Sequence, residues 1–468
     1  MRLTILGAAG GEVRGSAYLL ETSRARVLVE AGLFQGGGEA EALNRDHDGL
    51  DVAGLDAVVL THAHLDHTGR LPLLIRKGYR GPVYCTEATG ELTQIILKDS
   101  AKLQVQDAIR TNRKRERAGE EPIAPLYEPA DVEPLADLLR PVSLHVQVEV
   151  APGVRVRLFE AGHLLGSASA QLTVDSGEAP GDGERVLVFS GDLGPIDLPI
   201  LREYESFSRA DVVLMESTYG DRDHRPYRAT VEEFTAIVDR VSKAGGKILV
   251  PTFAVGRAQQ ILYHLAVLFR SGRVKPFPVI LDSPMAVEAT RVYLRHPELF
   301  DEDLRGLRAR DTDPFDARHF RASITADDSR KLNEMEGPCA ILAGAGMCNA
   351  GRIQHHLKQN LWKRETHVLI VGYQGRGTLG RRLVEGEKEV FIHGEKIAVR
   401  AEIHTLGGFS AHAGQTDLLR WFGSLAPSQP RVFLTHGEDG PRAALAGKIR
   451  ERFGLECGLP SIGDQVVI

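Results

Sequence analysis

The sequence predicts an α/β protein in which one α/β domain is inserted into another. Three observations carry that prediction. Residues 1–220 read as short β-rich runs that stop at glycine or at a polar cluster, residues 221–395 alternate helical and strand patterns, and β-rich character returns from 396 to 468. A length of 468 residues also exceeds what one hydrophobic core usually supports. The predicted boundaries are therefore 1–220 with 396–468 for a discontinuous first domain, and 221–395 for the insertion.

The elements follow in order. "LTILG", "SAYLLE", "RVLVEAG", "DAVVLTH", "VRVRLFEAG", "RVLVFSGD" and "DVVLMES" are strand-like, and several end in His, Asp or Glu. Strands that stop at charged residues aim those side chains into a cleft at the sheet's end. The long stretch beginning "ATGELTQIILKDS" is helical, and its charged end "RTNRKRERAGEE" (110–121) reads as the solvated end of that helix. In the insertion, helical "ATVEEFTAIVDRVSKAGG" and "GRAQQILYHLAVLFRSG" flank the strand "KILVPTF", and "FPVILDSP", "PCAILAGAG" and "THVLIVGYQ" follow as buried strands. That alternation is the pattern of a mainly parallel sheet. "KIAVRAEIHTL", helical "QTDLLRWFGSL" and "RVFLTHGE" then close the chain.

Composition narrows the class. Hydrophobic residues make up 43% and charged residues 26%, as in an ordinary globular protein, and no apolar run suits a membrane span. "MRLTILGAAGG" has no adequate signal-peptide core, so a cytoplasmic location is expected, with no membrane partner. Cys85, Cys339, Cys348 and Cys457 are scattered away from metal-binding spacing and read as reduced packing residues. A net charge of −6 excludes a uniformly basic surface, so any nucleic-acid contact must come from a local patch.

The segment "VVLTHAHLDHTG" crowds His62, His64, Asp66 and His67 behind an apolar run. Zinc takes imidazole nitrogen and carboxylate oxygen, and a single catalytic zinc must keep an open position, so four donors in one loop are too many for one ion. Two metals would use them all if other segments contribute. His163 in "EAGHLLGSA", Asp192 in "FSGDLG" and His436 in "LTHGE" each follow a strand and can do so. Most of the remaining histidines, including His145, His264, His296, His319, His355, His356 and His393, read as structural or surface residues.

"THAHLDHTG", "GHLLGSA", "SGD" and "THGE" resemble the metallo-β-lactamase fold, whose motif is HxHxDH. "MESTYGDRDH", "PTFAVGRAQQ", "DSPMA", "AGAGMCNAGR", "GYQGRGTLGRRL" and "GFSAHA" resemble its β-CASP branch of nucleases, and within it the RNA cleavage factors related to the cleavage-and-polyadenylation endonuclease and their bacterial relatives. The resemblance implies a metallo-β-lactamase αββα sandwich carrying an inserted α/β β-CASP domain. It also implies two Zn2+ per chain, with Mn2+ as a substitute. His62, His64 and His163 would hold one, Asp66, His67 and His436 the other, and Asp192 would bridge them. Glu30 stands where the early strand of such proteins usually ends in Asp.

A dizinc site acidifies a water and stabilises charge on attacking and leaving oxygens, which suits phosphodiester hydrolysis. A histidine beside a carboxylate can protonate the departing sugar oxygen, and the resemblance supplies His412 in "FSAHA" and Glu216 in "MEST", with Asp66 as the third catalytic residue. His404 in "EIHTL" reads as structural. For RNA phosphate the candidates are Arg257, Arg352, Arg376, Thr378, Arg381, Arg382 and Ser410, the first two because each follows a glycine ahead of a helix. Histidine at the last motif, His436, implies RNA rather than DNA by the same resemblance.

The expected activity is a zinc-dependent ribonuclease acting on single-stranded RNA and leaving 5′-phosphate and 3′-hydroxyl ends. The sequence stops soon after His436, without the further domain of larger ribonuclease J type enzymes, which favours an endonuclease. The alternatives are a 5′-to-3′ exoribonuclease of the same family, a small-substrate metallo-hydrolase and a non-catalytic RNA-binding scaffold. A homodimer is the general expectation for a soluble enzyme.

Overall fold

Alternating burial along the strands dictates the layers of the first unit. Ala57 and Val59 face one core while Val58 and Leu60 face another, and Val212 and Leu214 point opposite to Val213 and Met215. Strands buried on both faces need a layer on either side. A computed structural model describes residues 1–35, 38–45, 50–175, 183–310, 313–316, 319–375 and 377–468. It divides into two compact units, Met1–Ile196 with Glu203–Asp223 and His412–Ile468, and Asp197–Arg202 with His224–Ala411.

The first unit holds two seven-stranded sheets. One runs in the order Gln465–Val467, Arg2–Ile5, Tyr18–Glu21, Arg26–Val29, Ala57–Val59, Val83–Cys85 and Leu139–Pro141. The other runs Cys457–Gly458, Arg431–Thr435, Val212–Glu216, Glu184–Phe189, Ala168–Asp175, Val154–Glu160 and Val148–Ala151. Leu3, Val27 and Val59 of one pack with Val156, Leu172 and Leu187 of the other. Each such Val or Leu contributes about 1.5–3 kcal/mol relative to exposure. Helices Leu71–Arg76 and Glu87–Ala118 cover the first sheet's outer face, and Gln415–Gly423 and Asp439–Phe453 cover the second's, which completes an αββα sandwich. Helix Glu87–Ala118 begins at Thr86, whose side chain accepts from the Thr89 N–H, and its charged end is mostly exposed.

The second unit is built on a six-stranded sheet, in the order Arg321–Ala322, Val279–Asp282, Cys339–Ala343, Lys247–Pro251, Thr366–Ile370 and Glu402–Thr405, with every pair parallel. Helices Tyr227–Ala244, Arg257–Arg270 and Pro284–Arg295 pack on one face, and Arg352–Asn360 and Leu379–Val384 on the other. Glu402–Thr405 pairs with Thr366–Ile370, so residues 396–411 cluster with this unit and the chain re-enters the first at His412, not at 396. Among the described residues no helix is long and apolar enough to cross a membrane. Cys85, Cys339 and Cys348 are buried free thiols, and Cys457 is half-buried and free.

Backbone bonds in the first unit fix the loop at 62–68. Ala31 N–H donates to the His67 carbonyl at 2.8 Å, Leu33 N–H to that of Leu65 at 2.9 Å and Ser16 N–H to that of Asp66 at 2.9 Å. This clamp requires glycine at 32, because a Cβ there would fall on the Asp66 carbonyl. Gly32→Ala is expected to lower stability by about 1–3 kcal/mol, the usual cost of forcing atoms into a packed site. A urea unfolding midpoint equal to wild type would contradict the clamp.

Candidate metal centre

Strand ends of both sheets deliver the site. His62 and His64 follow Ala57–Val59, and the short helix Leu65–Thr68 carries Asp66 and His67. His163 lies beyond Val154–Glu160 and Asp192 beyond Glu184–Phe189, while Glu216 ends Val212–Glu216 and His436 directly follows Arg431–Thr435. His412 precedes helix Gln415–Gly423. All of them belong to the first unit. Glu30 and His436 have φ of +66° and +50°, left-handed values that cost non-glycine residues energy and concentrate where a site demands them.

The structure brings these side chains together as two donor sets, with one Asp192 oxygen in the first and the other near His67 of the second. In the first, His64 Nδ1 lies 3.2 Å from His62 Nε2 and 3.1 Å from His163 Nε2. Asp192 Oδ2 lies 3.4 Å from His62 Nε2 and 3.6 Å from His163 Nε2. In the second, His436 Nε2 lies 3.3 Å from His67 Nε2 and 3.5 Å from Asp66 Oδ2, and Asp192 Oδ1 is 3.4 Å from His67 Nε2.

These separations fit zinc. Ligand bonds of about 2.0–2.1 Å in tetrahedral array place neighbouring donors about 3.3–3.4 Å apart. Asp192 is buried, and its Oδ1 receives no hydrogen bond. Metal ligation needs neutral imidazole and ionised carboxylate, and His62, His64, Asp66 and Asp192 are held in those forms, whereas His67 is not. Burial, reinforced by the neighbouring His67, lowers His62 well below its ordinary range, and burial brings His64 down to about 4 despite Asp66. Burial opposes charge on Asp66 and Asp192, yet the surrounding histidines hold both well below the usual carboxylate range. At His67 burial is overcome by Asp192 and Glu30, which favour positive charge at that spot, the charge a cation would supply.

Supporting groups orient the histidines. Glu30 Oε1 accepts the Thr61 N–H at 2.8 Å, and its Oε2 lies 3.4 Å from His67 Nδ1. The longer acid thus spans from the strand end to the ring. Thr61 Oγ1 meets His62 Nδ1 at 3.0 Å, and Thr218 Oγ1 meets His436 Nδ1 at 3.0 Å. Sequence reading missed both threonines. Their signal was adjacency, since Thr61 directly precedes His62 and Thr218 follows Glu216 in "MEST".

His412 stands beside this centre. Its Nδ1 is 3.4 Å from both Glu216 oxygens and 3.9 Å from Asp192 Oδ2. Burial works against its charge, but Glu216 and then Asp192 outweigh it and push the pKa up to about 9. Glu216 is itself fixed by the Leu193 N–H at 2.6 Å.

The residues read as phosphate contacts lie in the second unit, apart from Arg376, which falls outside the described residues. Arg352 is committed to Asp282 Oδ1 at 2.7 Å and to the carbonyls of Ser323 and Ile324. Arg257 is buried and donates to Gln260. Thr378 caps helix Leu379–Val384 by accepting from the Arg381 N–H at 3.1 Å, and Ser410 is buried. Arg381 and Arg382 are partly exposed and pair with Glu385 and Glu387, each at 2.7 Å.

Comparisons with known proteins bear on this geometry. A family model described as the metallo-beta-lactamase superfamily matches residues 10–252. One described as the Beta-Casp domain matches 258–383, and one described as a Zn-dependent metallo-hydrolase RNA specificity domain matches 396–460. A ribonuclease of Thermus thermophilus is 42% identical across all of both chains. The transcription termination factor FttA of Cenarchaeum symbiosum is 34% identical over 99% of this chain and 70% of its own. A crystal structure of a protein of unknown function from Enterococcus faecalis has the same fold, with a TM-score of 0.55 at 13% identity over 100% of this chain and 99% of that one.

Two substitutions separate ligand from support. Asp192→Asn is expected to lower bound zinc, measured by mass spectrometry of desalted protein, and full occupancy would contradict the shared carboxylate. Glu30→Gln is expected to weaken zinc affinity about 10–100-fold, the usual cost of losing a carboxylate that orients a ligand. Unchanged affinity would leave Glu30 without that role.

Proposed function

This chain belongs to the metallo-β-lactamase superfamily, in its β-CASP branch, and on that premise we propose that it is a zinc-dependent ribonuclease cutting single-stranded RNA. The observation that carries the reading is the shared Asp192 between two donor sets, with His412 and Glu216 beside them. His62, His64, His163 and Asp192 would hold one zinc, and Asp66, His67 and His436 the other, with Asp192 Oδ1 reaching the second set at His67. Bound zinc would supply an acidified water and positive charge for the phosphoryl oxygens.

The chain's own residues do the rest. Glu216 faces His412 Nδ1 and favours the protonated ring, so Nε2 carries a proton for the departing oxygen. Delivery to a 3′ oxygen leaves a 3′-hydroxyl on one product and a 5′-phosphate on the other. The left-handed His436 and the clamp on Asp66 and His67 hold ligand positions against loop motion, as a transition state bound by fixed charge requires. Arg381 and Arg382 are the cations best suited to RNA phosphate, since each can exchange an exposed carboxylate for it. Arg352 instead holds Asp282 within its own unit.

We favour endonucleolytic cleavage, with 5′-to-3′ exonuclease action as the alternative. Circular RNA is expected to be cut alongside its linear, 5′-monophosphorylated counterpart, and an intact circle beside a degraded linear RNA would overturn endonuclease action. His412→Ala is expected to retain zinc while slowing cleavage by about 10²–10⁴-fold, the range for a general acid. Unchanged turnover would remove His412 from the mechanism.

A further inference from the structure

A second convergence of imidazole and carboxylate lies wholly within the second unit, on the edge of its parallel sheet. His367 on Thr366–Ile370 stands opposite Glu402 on Glu402–Thr405, and His404 is two residues along the same strand. Pairing in register with a period of two puts all three side chains on one face. His367 Nδ1 lies 3.1 Å from His404 Nε2, and Glu402 Oε2 lies 3.6 Å and 3.5 Å from those two nitrogens. The three separations bracket the edge of about 3.3–3.4 Å expected for tetrahedral zinc.

From this geometry we propose that His367, Glu402 and His404 form an additional zinc site, separate from the centre in the first unit. An N–H···N bond between the two rings would explain the shortest contact, and the proposal rests on the convergence of all three donor atoms. The rings are nearly parallel, 14° apart, and the His367 and His404 side chains are only 7% and 13% exposed. Glu402 is half exposed, so water can reach the fourth position.

The charged neighbours come from helix Tyr227–Ala244 and define a competitor. Arg240 Nη1 donates to Glu402 Oε2 at 3.1 Å, the oxygen that the ion would use. Glu233 on the same helix pairs with Arg225 and adds negative potential near His404. An arriving cation displaces the Arg240 guanidinium from Glu402, and zinc would then pin the edge strand to its neighbour.

The test is zinc binding to the full chain, stripped with chelator, equilibrated with zinc and desalted before metal analysis. His404→Ala is expected to hold about one zinc fewer per chain than wild type, the stoichiometry of one lost site. Arg240→Ala is expected to bind that zinc about tenfold more tightly, since it removes a charged donor from the ligand oxygen. Equal zinc in wild type and His404→Ala, or no gain in affinity with Arg240→Ala, would overturn the site. If His404→Ala does not fold, Arg240→Ala decides alone. Neither variant touches the first unit's donors, so the outcome is independent of RNA cleavage.

Discussion

The buried carboxylate of Asp192 is the constraint around which the first unit is organised. It lies 2% exposed at the end of Glu184–Phe189, with one oxygen toward His62 and His163 and the other toward His67. An ionised carboxylate so placed costs several kcal/mol unless positive charge compensates it. His67 and His412, on which positive charge is favoured, supply part of that compensation, and cations held by the surrounding donors would supply the rest. The loop 62–68, the left-handed turns at Glu30 and His436, and glycine at 32 all serve to bring those rings within reach.

The sandwich explains why so many separated segments meet there. Two sheets packed face to face end together, so residues just beyond Val59, Glu160, Phe189, Glu216 and Thr435 emerge near one another. The hydrophobic layer beneath them is buried between the two sheets and close-packed, as protein interiors are. The second unit follows a different logic, in which an all-parallel sheet covered on both faces frees its strand ends for glycine-rich loops and helix starts such as Arg257 and Arg352.

Much of the centre was legible because its chemistry is local in sequence. "HAHLDH" concentrates four donors, and each remaining candidate follows a strand pattern at a polar stop. What depended on distant packing was not legible. The strand at Glu402–Thr405 reads like any other, and only its pairing with Thr366–Ile370 places it in the second unit. The same pairing makes His404, read as structural, the neighbour of His367. The pairing of Arg352 with Asp282 was not legible either, because the two lie 70 residues apart. Glu30 departed from the expected Asp, and only geometry shows the longer acid reaching both Thr61 and His67.

The most direct test of the shared-carboxylate account is RNA cleavage followed as zinc is titrated into chelator-stripped protein carrying His404→Ala, which removes a donor of the site proposed in the second unit. Two donor sets joined by Asp192 imply that cleavage stays near background through the first equivalent and rises as the second binds. Full cleavage at a single equivalent of zinc would contradict it.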